Sequence, residues 1–427
     1  MKIKSVDRRL AGAAAFFLAL GLFAVLAFRY DATRSNPVQP AQAISTLSVT
    51  STADQGPGSL REALFVAAAA DARTTIVVQV DRVDIATPLP PLASPHGIEI
   101  VAGPESRAEI DAQALTSGPV FDVNGPNSSI EGLTIRNCPA AAVLLRASRF
   151  RMAATTIESC DVGVDVAANA ADMVLEQNQF ARNRVGVRIA ASIPNALVSG
   201  NRFSGHLDAG VWAVHSEPDL REGSTIVRDN EFGGDRIGIV AGNLSMRVEE
   251  NRFLDIRETA IHLIGEGLAV RANRITGSAA MGIVAENARG VAIEQNELDR
   301  LSAYGIMVRG GASMLVRANL IHNCAYGIAF VLGDGGNPST AVDNSIVAPR
   351  YRGIDVIGES PILRRNSVVQ AGNAPLHVED FERPDGSVAK ADPFRDGNSF
   401  DEGDVAVVAN DSNSSPAAAR PSPPLAP

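Results

Sequence analysis

Carboxylates, guanidinium groups, one tryptophan and one histidine recur at two fixed places through the middle of this sequence. Asp161, Arg184, Asp208, Arg236 and Glu258 each stand two residues ahead of a repeated phrase that begins with glycine, once alanine, and continues with alternating apolar residues. Asp165, Arg188, Trp212, Val240 and His262 each stand two residues after that glycine. On one reading these columns line a saccharide groove. Trp212 offers an apolar platform for a sugar face, Arg184 and Arg188 are bidentate ligands for a carboxylate, and His262 is a proton acceptor or donor near neutral pH. His262, Arg188 and Asp208 are then the candidate catalytic set, and Trp212, Arg184, Asp165, Arg236 and Glu258 the candidate binding set. On the competing reading the columns are a ladder of alternating charge, each exposed pair worth only about 0 to 1 kcal/mol. The same columns continue as Ala280, Ala303, Ala325, Tyr351 and Asn373 and as Val284, Met307, Ala329, Asp355 and His377, the first three of each being bland.

No cofactor or metal is expected. His215, Glu217 and Asp219 fall in the insertion A-V-H-S-E-P-D-L-R-E-G, but their spacing matches no defined metal site and a solvated loop is the expectation. The Gly-rich run Gly333-Asp334-Gly335-Gly336 follows no strand-to-helix switch, which speaks against a phosphate loop. Cys138 and Cys160 occupy equivalent places in adjacent repeats, where either a disulfide or a pair of stacked thiols fits; Cys324 lies about seven repeats away and is expected free.

The elements that position these residues are short strands. Between about Leu133 and Asp380 an apolar strand ends in asparagine, a skipped position and another apolar residue: E-Q-N-Q-F at Asn178, S-G-N-R-F at Asn201, R-D-N-E-F at Asn230, E-E-N-R-F at Asn251, R-A-N-R-I at Asn273, and so on through Asn296, Asn319, Asn344 and Asn366. Eight or nine residues later comes the glycine phrase, as in G-V-D-V at Gly163, G-V-R-I at Gly186 and G-I-V-A at Gly238. A period of this length with apolar residues two apart describes a solenoid of strands rather than of helices. The stacked asparagines then mark one tight bend, where that residue tolerates left-handed backbone angles. The expected fold is an all-β, right-handed parallel β-helix of about eleven regular coils. If alternation runs unbroken through the glycine phrase, the glycine and the positions two before and two after it face solvent.

Outside the repeats the chain divides by composition. Residues 1–9 are a basic segment and Leu10 to Phe28 an uncharged run long enough for a transmembrane signal-anchor, with the basic end in the cytoplasm. The alternative is a cleaved signal and a secreted chain. Residues 29–45 read as a polar linker and 46–392 as the β-helix domain. A helix near 59–70, opened by the capping box Ser59 and Glu62, is placed to cover the first exposed edge. The Ser-, Asn- and Pro-rich residues 393–427 are expected to be disordered. A net charge of −10 speaks against a nucleic-acid partner.

The phrase T-A-D-Q-G-P-G-S-L-R-E-A-L, followed by T-I-V-V-Q-V at Thr74, A-E-I-D-A at Ala108 and S-S-I-E-G-L-T-I-R-N at Ser128, resembles the secreted bacterial right-handed β-helix repeat proteins of the pectin-lyase-like superfamily. The resemblance covers about Leu47 to Asp380 and implies the fold. The superfamily holds polysaccharide lyases, hydrolases, uronate epimerases, copper-delivery accessory proteins and non-catalytic adhesins. The D-P-H-D-like motif of mannuronan epimerases is absent, as are the paired aspartates and G-H-G segment of polygalacturonases. The expected function is therefore that of an extracytoplasmic, membrane-tethered protein, held in the inner membrane through residues 10–28, that binds or modifies a cell-surface or exported polysaccharide, an acidic one if the arginines engage it. A structural or adhesive surface protein, and a periplasmic accessory protein for metal or cofactor delivery, are the alternatives.

Overall fold

The computed structural model describes residues 45–400 other than 220–223, 278–280 and 334, together with the backbone of 406–408. The expected membrane span, most of the linker and most of the tail lie outside the described residues. No described helix is long and apolar enough to cross a membrane.

Strands of two to eleven residues wind through three parallel sheets of 15, 14 and 13 strands, called sheets 1, 2 and 3 here in the order the chain meets them. One coil runs Val174–Glu176 in sheet 1, Gln179–Ala181 in sheet 2 and Val185–Ile189 in sheet 3. Each strand pairs with its equivalent one coil on, so Phe180 stacks on Phe203 and Val187 on Val211. There are about thirteen coils, not eleven, because Ser45–Val123 stacks in register without carrying the asparagine and glycine marks, and Phe394–Phe400 adds a further coil at the other end, with Asn398 at the asparagine bend. Regular pairing also passes the expected domain end at residue 392, in Phe394–Asp396, Ser399–Phe400 and Ala406–Val408.

The core is one continuous column of Val, Ile, Leu and Phe. Its widest layer is a stack of rings on sheet 2, Phe180, Phe203, Phe232 and Phe253, with centroids 4.6–4.9 Å apart. The asparagines form a second buried column at the bend between sheets 1 and 2. Asn251 is typical. Its Oδ1 accepts from the backbone N–H and the Nδ2 of Asn230, and its own Nδ2 donates to Val227 O and Asn273 Oδ1, all at 2.8–3.1 Å. The left-handed angle at this bend falls on the residue before the asparagine, as at Gln177, Glu250, Ala272 and Arg365, each with φ near +50°. Asparagine recurs for its amide rather than for its backbone freedom, and its four bonds hold a neighbour in a conformation costly for a residue with a Cβ.

The helix at the first end spans Leu60–Ala68. Ser59 Oγ accepts from the Glu62 N–H, and Glu62 Oε2 accepts from the N–H of Gly58, one residue ahead of the cap, in a variant of the expected capping box. Leu60, Ala63, Leu64 and Ala67 are buried against the strands Ser45–Val49 and Thr74–Val78. Arg61 reaches back to Asp54 Oδ1 at 2.6 Å and to the carbonyls of Thr87 and Pro88, pinning the loop ahead of the helix to the second coil.

Candidate functional site

The candidate residues lie on sheet 3, and the glycine phrase that displays them does not alternate throughout. Val162, Gly163 and Val164 are all buried. Val164 is in the core, whereas Val162 joins Ala141, Val185 and Trp212 in a small cluster outside it. The glycine, expected to face solvent, faces inward. A methyl on Gly238 would lie 2.5 Å from Ala260 O and 2.6 Å from the Phe253 ring, and one on Gly210 2.8 Å from the Phe232 ring. Two adjacent residues, the glycine and its successor, therefore point into the core. The position before the glycine turns outward, which the unbroken alternation had placed inside.

The two columns stack as read. Two before the glycine, Arg184 gives Nε to Asp161 at 2.6 Å and Nη1 to Asp208 at 2.9 Å, Arg236 stands 3.6 Å from Asp208 and its Nε is 2.8 Å from Glu258. The bond from Arg184 holds the Asp161 carboxyl below the usual carboxylate range. Both oxygens of Asp208 face an arginine. Two after the glycine, Asp165, Arg188, Trp212, Val240 and His262 are register partners on successive strands. Arg188 binds Asp165 through both a Nε and a Nη2 contact, at 2.9 and 2.6 Å. Trp212 is half-buried and packs against Val162 and Val185 on one side and Ala209, Ile237 and Val240 on the other. His262 is mostly buried, its Nε2 3.5 Å from Glu286 Oε2. Burial lowers its pKa, and the Glu286 carboxylate offsets part of that.

The insertion after Trp212, expected as a solvated loop, is strand as far as Asp219. Ala209–Asp219 is one element of 11 residues that pairs with Ile237–Leu244, with a register shift between Val214 and Asp219. Alternating Val214, Gly242 and Leu244 extend the sheet past its usual edge. Among the described residues no group of His, Cys, Asp and Glu is arranged to hold a metal. Cys138 and Cys160 are joined as a disulfide, their Cα atoms 4.3 Å apart, and Cys324 is a buried thiol.

A second cluster lies further along the same sheet, beginning on coils whose outer columns were read as bland and running on to Tyr351, Asp355 and His377. Tyr304 and Tyr326 stand immediately before their glycines, and Tyr351 two before its own. The rings of Tyr304 and Tyr326 stack at 4.7 Å, and that of Tyr351 lies tilted 5.4 Å from Tyr326. Beside them Arg352 clasps Asp355 at 3.0 and 3.1 Å, and Asp355 is 2.7 Å from His377 Nδ1. Burial pushes the Tyr304 phenol up to about 12, and the Asp355 charge adds to it. The readable signal was A-Y-G-I, present in adjacent repeats at Ala303 and Ala325.

The sequence matches the family described as right handed beta helix region over residues 91–221 and 219–369. The chain belongs to the right-handed β-helix family. As a β-helix it is similar to the catalytic unit of a thermostable GH87 α-1,3-glucanase from Streptomyces thermodiastaticus strain HF3-3, with 14% identity, a TM-score of 0.59, and 88% of this chain and 71% of that one covered. It is also similar to the Dettilon tailspike protein, gp208, with 13% identity, a TM-score of 0.50, and 77% and 68% covered. Among curated protein sequences none matches this β-helix.

Proposed function

We propose that this β-helix binds a polysaccharide along the outer face of sheet 3. One observation carries the reading. The chain's single tryptophan and three of its four tyrosines stand on that face, from Trp212 to Tyr351. Six strand spacings of about 4.8 Å separate the two ends, so the aromatic groups span roughly 29 Å, a length suited to a chain rather than to a small molecule. An aromatic ring in this setting offers an apolar face to a sugar and keeps a polar edge for hydrogen bonding. The similarity to an α-1,3-glucanase unit agrees with the reading but supports only the fold.

Binding is favoured over bond cleavage because the arginines and carboxylates of the same face already engage one another. Arg184, Arg188 and Arg236 would contribute to an acidic glycan only by exchanging a protein carboxylate for a ligand one. His262, its buried Nε2 3.5 Å from Glu286 and without a hydrogen-bond partner among the described residues, is the group to which proton transfer is assigned if the bound glycan is modified. The location we propose is outside the cytoplasm, with residues 10–28 as the tether. Lys2, Lys4, Arg8 and Arg9 ahead of that run support the orientation, and the Cys138–Cys160 bond fits an oxidising compartment.

Titration with neutral and uronate-containing oligosaccharides, read by the emission of Trp212, tests the proposal. A saturable shift at millimolar concentration, weakened by both Trp212→Ala and Tyr326→Ala, is the expected result. If no oligosaccharide moves the emission and Tyr326→Ala changes nothing, the face is a charge ladder and the adhesive or structural reading replaces this one.

A further inference from the structure

A hollow of about 270 Å³ opens on sheet 1, near the first end of the stack, lined by Arg73, Glu99, Asn127, Ser129, Arg149 and Arg151. Its floor is a register column: Glu99, Ser129 and Arg151 are partners on three successive strands. Its rim is the bend ahead of those strands, where Asn127 and Arg149 both adopt left-handed angles, φ 60° and 57°. Arg149 Nε donates to Asn127 Oδ1 at 2.6 Å, and no protein partner of its terminal nitrogens is found among the described residues.

The polar groups of this hollow are unevenly satisfied. Ser129 is 93% buried and its Oγ has no hydrogen-bond partner; the buried Nε of Arg73 has none either. The carboxylate nearest Arg73 is Glu99, 3.8 Å away, too far for a hydrogen bond, and Glu99 Oε2 is engaged by Thr75 Oγ1 at 2.9 Å. Arg151 differs. Glu131 and Glu176 hold it at 2.8 and 2.7 Å, so it forms a wall rather than a free cation. Buried donors without acceptors are costly, and two of them beside a guanidinium whose terminal nitrogens have no protein partner among the described residues call for an acceptor from outside the chain. A cation meets only one carboxylate here, and the volume falls below the roughly 300 to 1,000 Å³ typical of sites for larger ligands.

We propose that this hollow binds a single oxyanionic group, the carboxylate of a uronate or a free sulfate or phosphate ion, through Arg73, Arg149 and the hydroxyl of Ser129. Guanidinium groups recognise such oxygens in pairs, and the serine hydroxyl supplies the third donor. The site is on a different sheet from the aromatic face and does not rest on the polysaccharide reading.

Isothermal titration of the full chain with glucuronate, sodium sulfate and inorganic phosphate, at fixed ionic strength in chloride, decides it. One saturable site is expected for at least one of them. Arg73→Gln and Arg149→Gln should each weaken it tenfold or more, and Ser129→Ala, which removes one oxygen and leaves the fold, severalfold. Arg317→Gln, on the same sheet but outside the hollow, should leave it unchanged. Binding of glucuronate at least as tight as that of the inorganic ions assigns the site to a glycan carboxylate; binding of the inorganic ions alone assigns it to a free anion. Absence of saturable binding for all three, or equal binding in wild type and in Ser129→Ala and Arg149→Gln together, overturns the proposal. Trp212 emission should not respond, so this test and that of the aromatic face fail independently.

Discussion

Replacing Asn251 by alanine removes a side chain from the middle of the asparagine column and should be among the most damaging conservative changes in the chain. Four hydrogen bonds disappear: two accepted from Asn230, and two donated to Val227 O and Asn273 Oδ1. They are not equivalent. Asn230 Nδ2 still reaches Val198 O, and Asn273 Oδ1 still accepts from the Asn251 backbone. The Asn230 N–H is left buried with nothing to donate to, at about 1 to 3 kcal/mol, and Val227 O loses a bond whose net worth is about 0.5 to 1.5 kcal/mol. With the small void added, the expected loss is roughly 3 to 5 kcal/mol. Asn398 makes the same kind of bonds to Asn366 and Leu363 but is only partly buried, so water can stand in and Asn398→Ala should cost about 1 kcal/mol. Urea denaturation followed by far-ultraviolet circular dichroism compares the two. A loss below about 1 kcal/mol for Asn251→Ala, or one no larger than for Asn398→Ala, would refute the view that the amides rather than the apolar core hold this bend.

Three further outcomes follow from the geometry. Gly238→Ala, which drives a methyl into Ala260 O and the Phe253 ring, should cost at least about 3 kcal/mol in the same assay, whereas Gly234→Ala meets no atom within 4 Å and should show only the milder strain of its positive φ. His262 has a folded pKa below its ordinary value of about 6.5, so the unfolded chain takes up its proton first, and the stability it contributes is present above that value and lost as pH falls through it. The slope of melting temperature against pH below about 6.5 should therefore be shallower in His262→Gln, and an unchanged slope contradicts the burial argument. The Cys324 thiol, pushed up to about 11 by burial, should be silent to thiol reagents at about pH 8 in the native chain; unfolding without reductant should expose one thiol, and with reductant all three.

The fold was readable wherever two marks kept step, because stacking in register forces each column to repeat one residue type. In the first coils it was readable only through the resemblance of phrases such as T-I-V-V-Q-V at Thr74, because there the same register is kept by Ile76, Ile100 and Ile130 without the two marks. The charge columns were placed correctly by counting two from the glycine. Tyr304 and Tyr326 were missed for a definite reason: counting in twos through the glycine put them inside, whereas the inward glycine shifts the parity and puts them out. Single-strand alternation cannot report such a shift, since Val at the position before glycine suits either side. The hollow on sheet 1 was out of reach as well, because Arg73, Ser129 and Arg149 come from three coils that share no phrase.

The asparagine column has a direction. In each coil the backbone N–H is capped by the amide oxygen of the next coil along the chain, from Thr155 on Asn178 to Asn366 on Asn398. The two ends are therefore unlike. Removing a coil from the amino-terminal side frees an amide oxygen, which water fills readily, but removing one from the carboxyl-terminal side strands a backbone donor. Each coil is provisional until its successor is laid upon it, so a stack growing from its first coil carries one unmet donor at its leading edge and settles only as the following coil arrives.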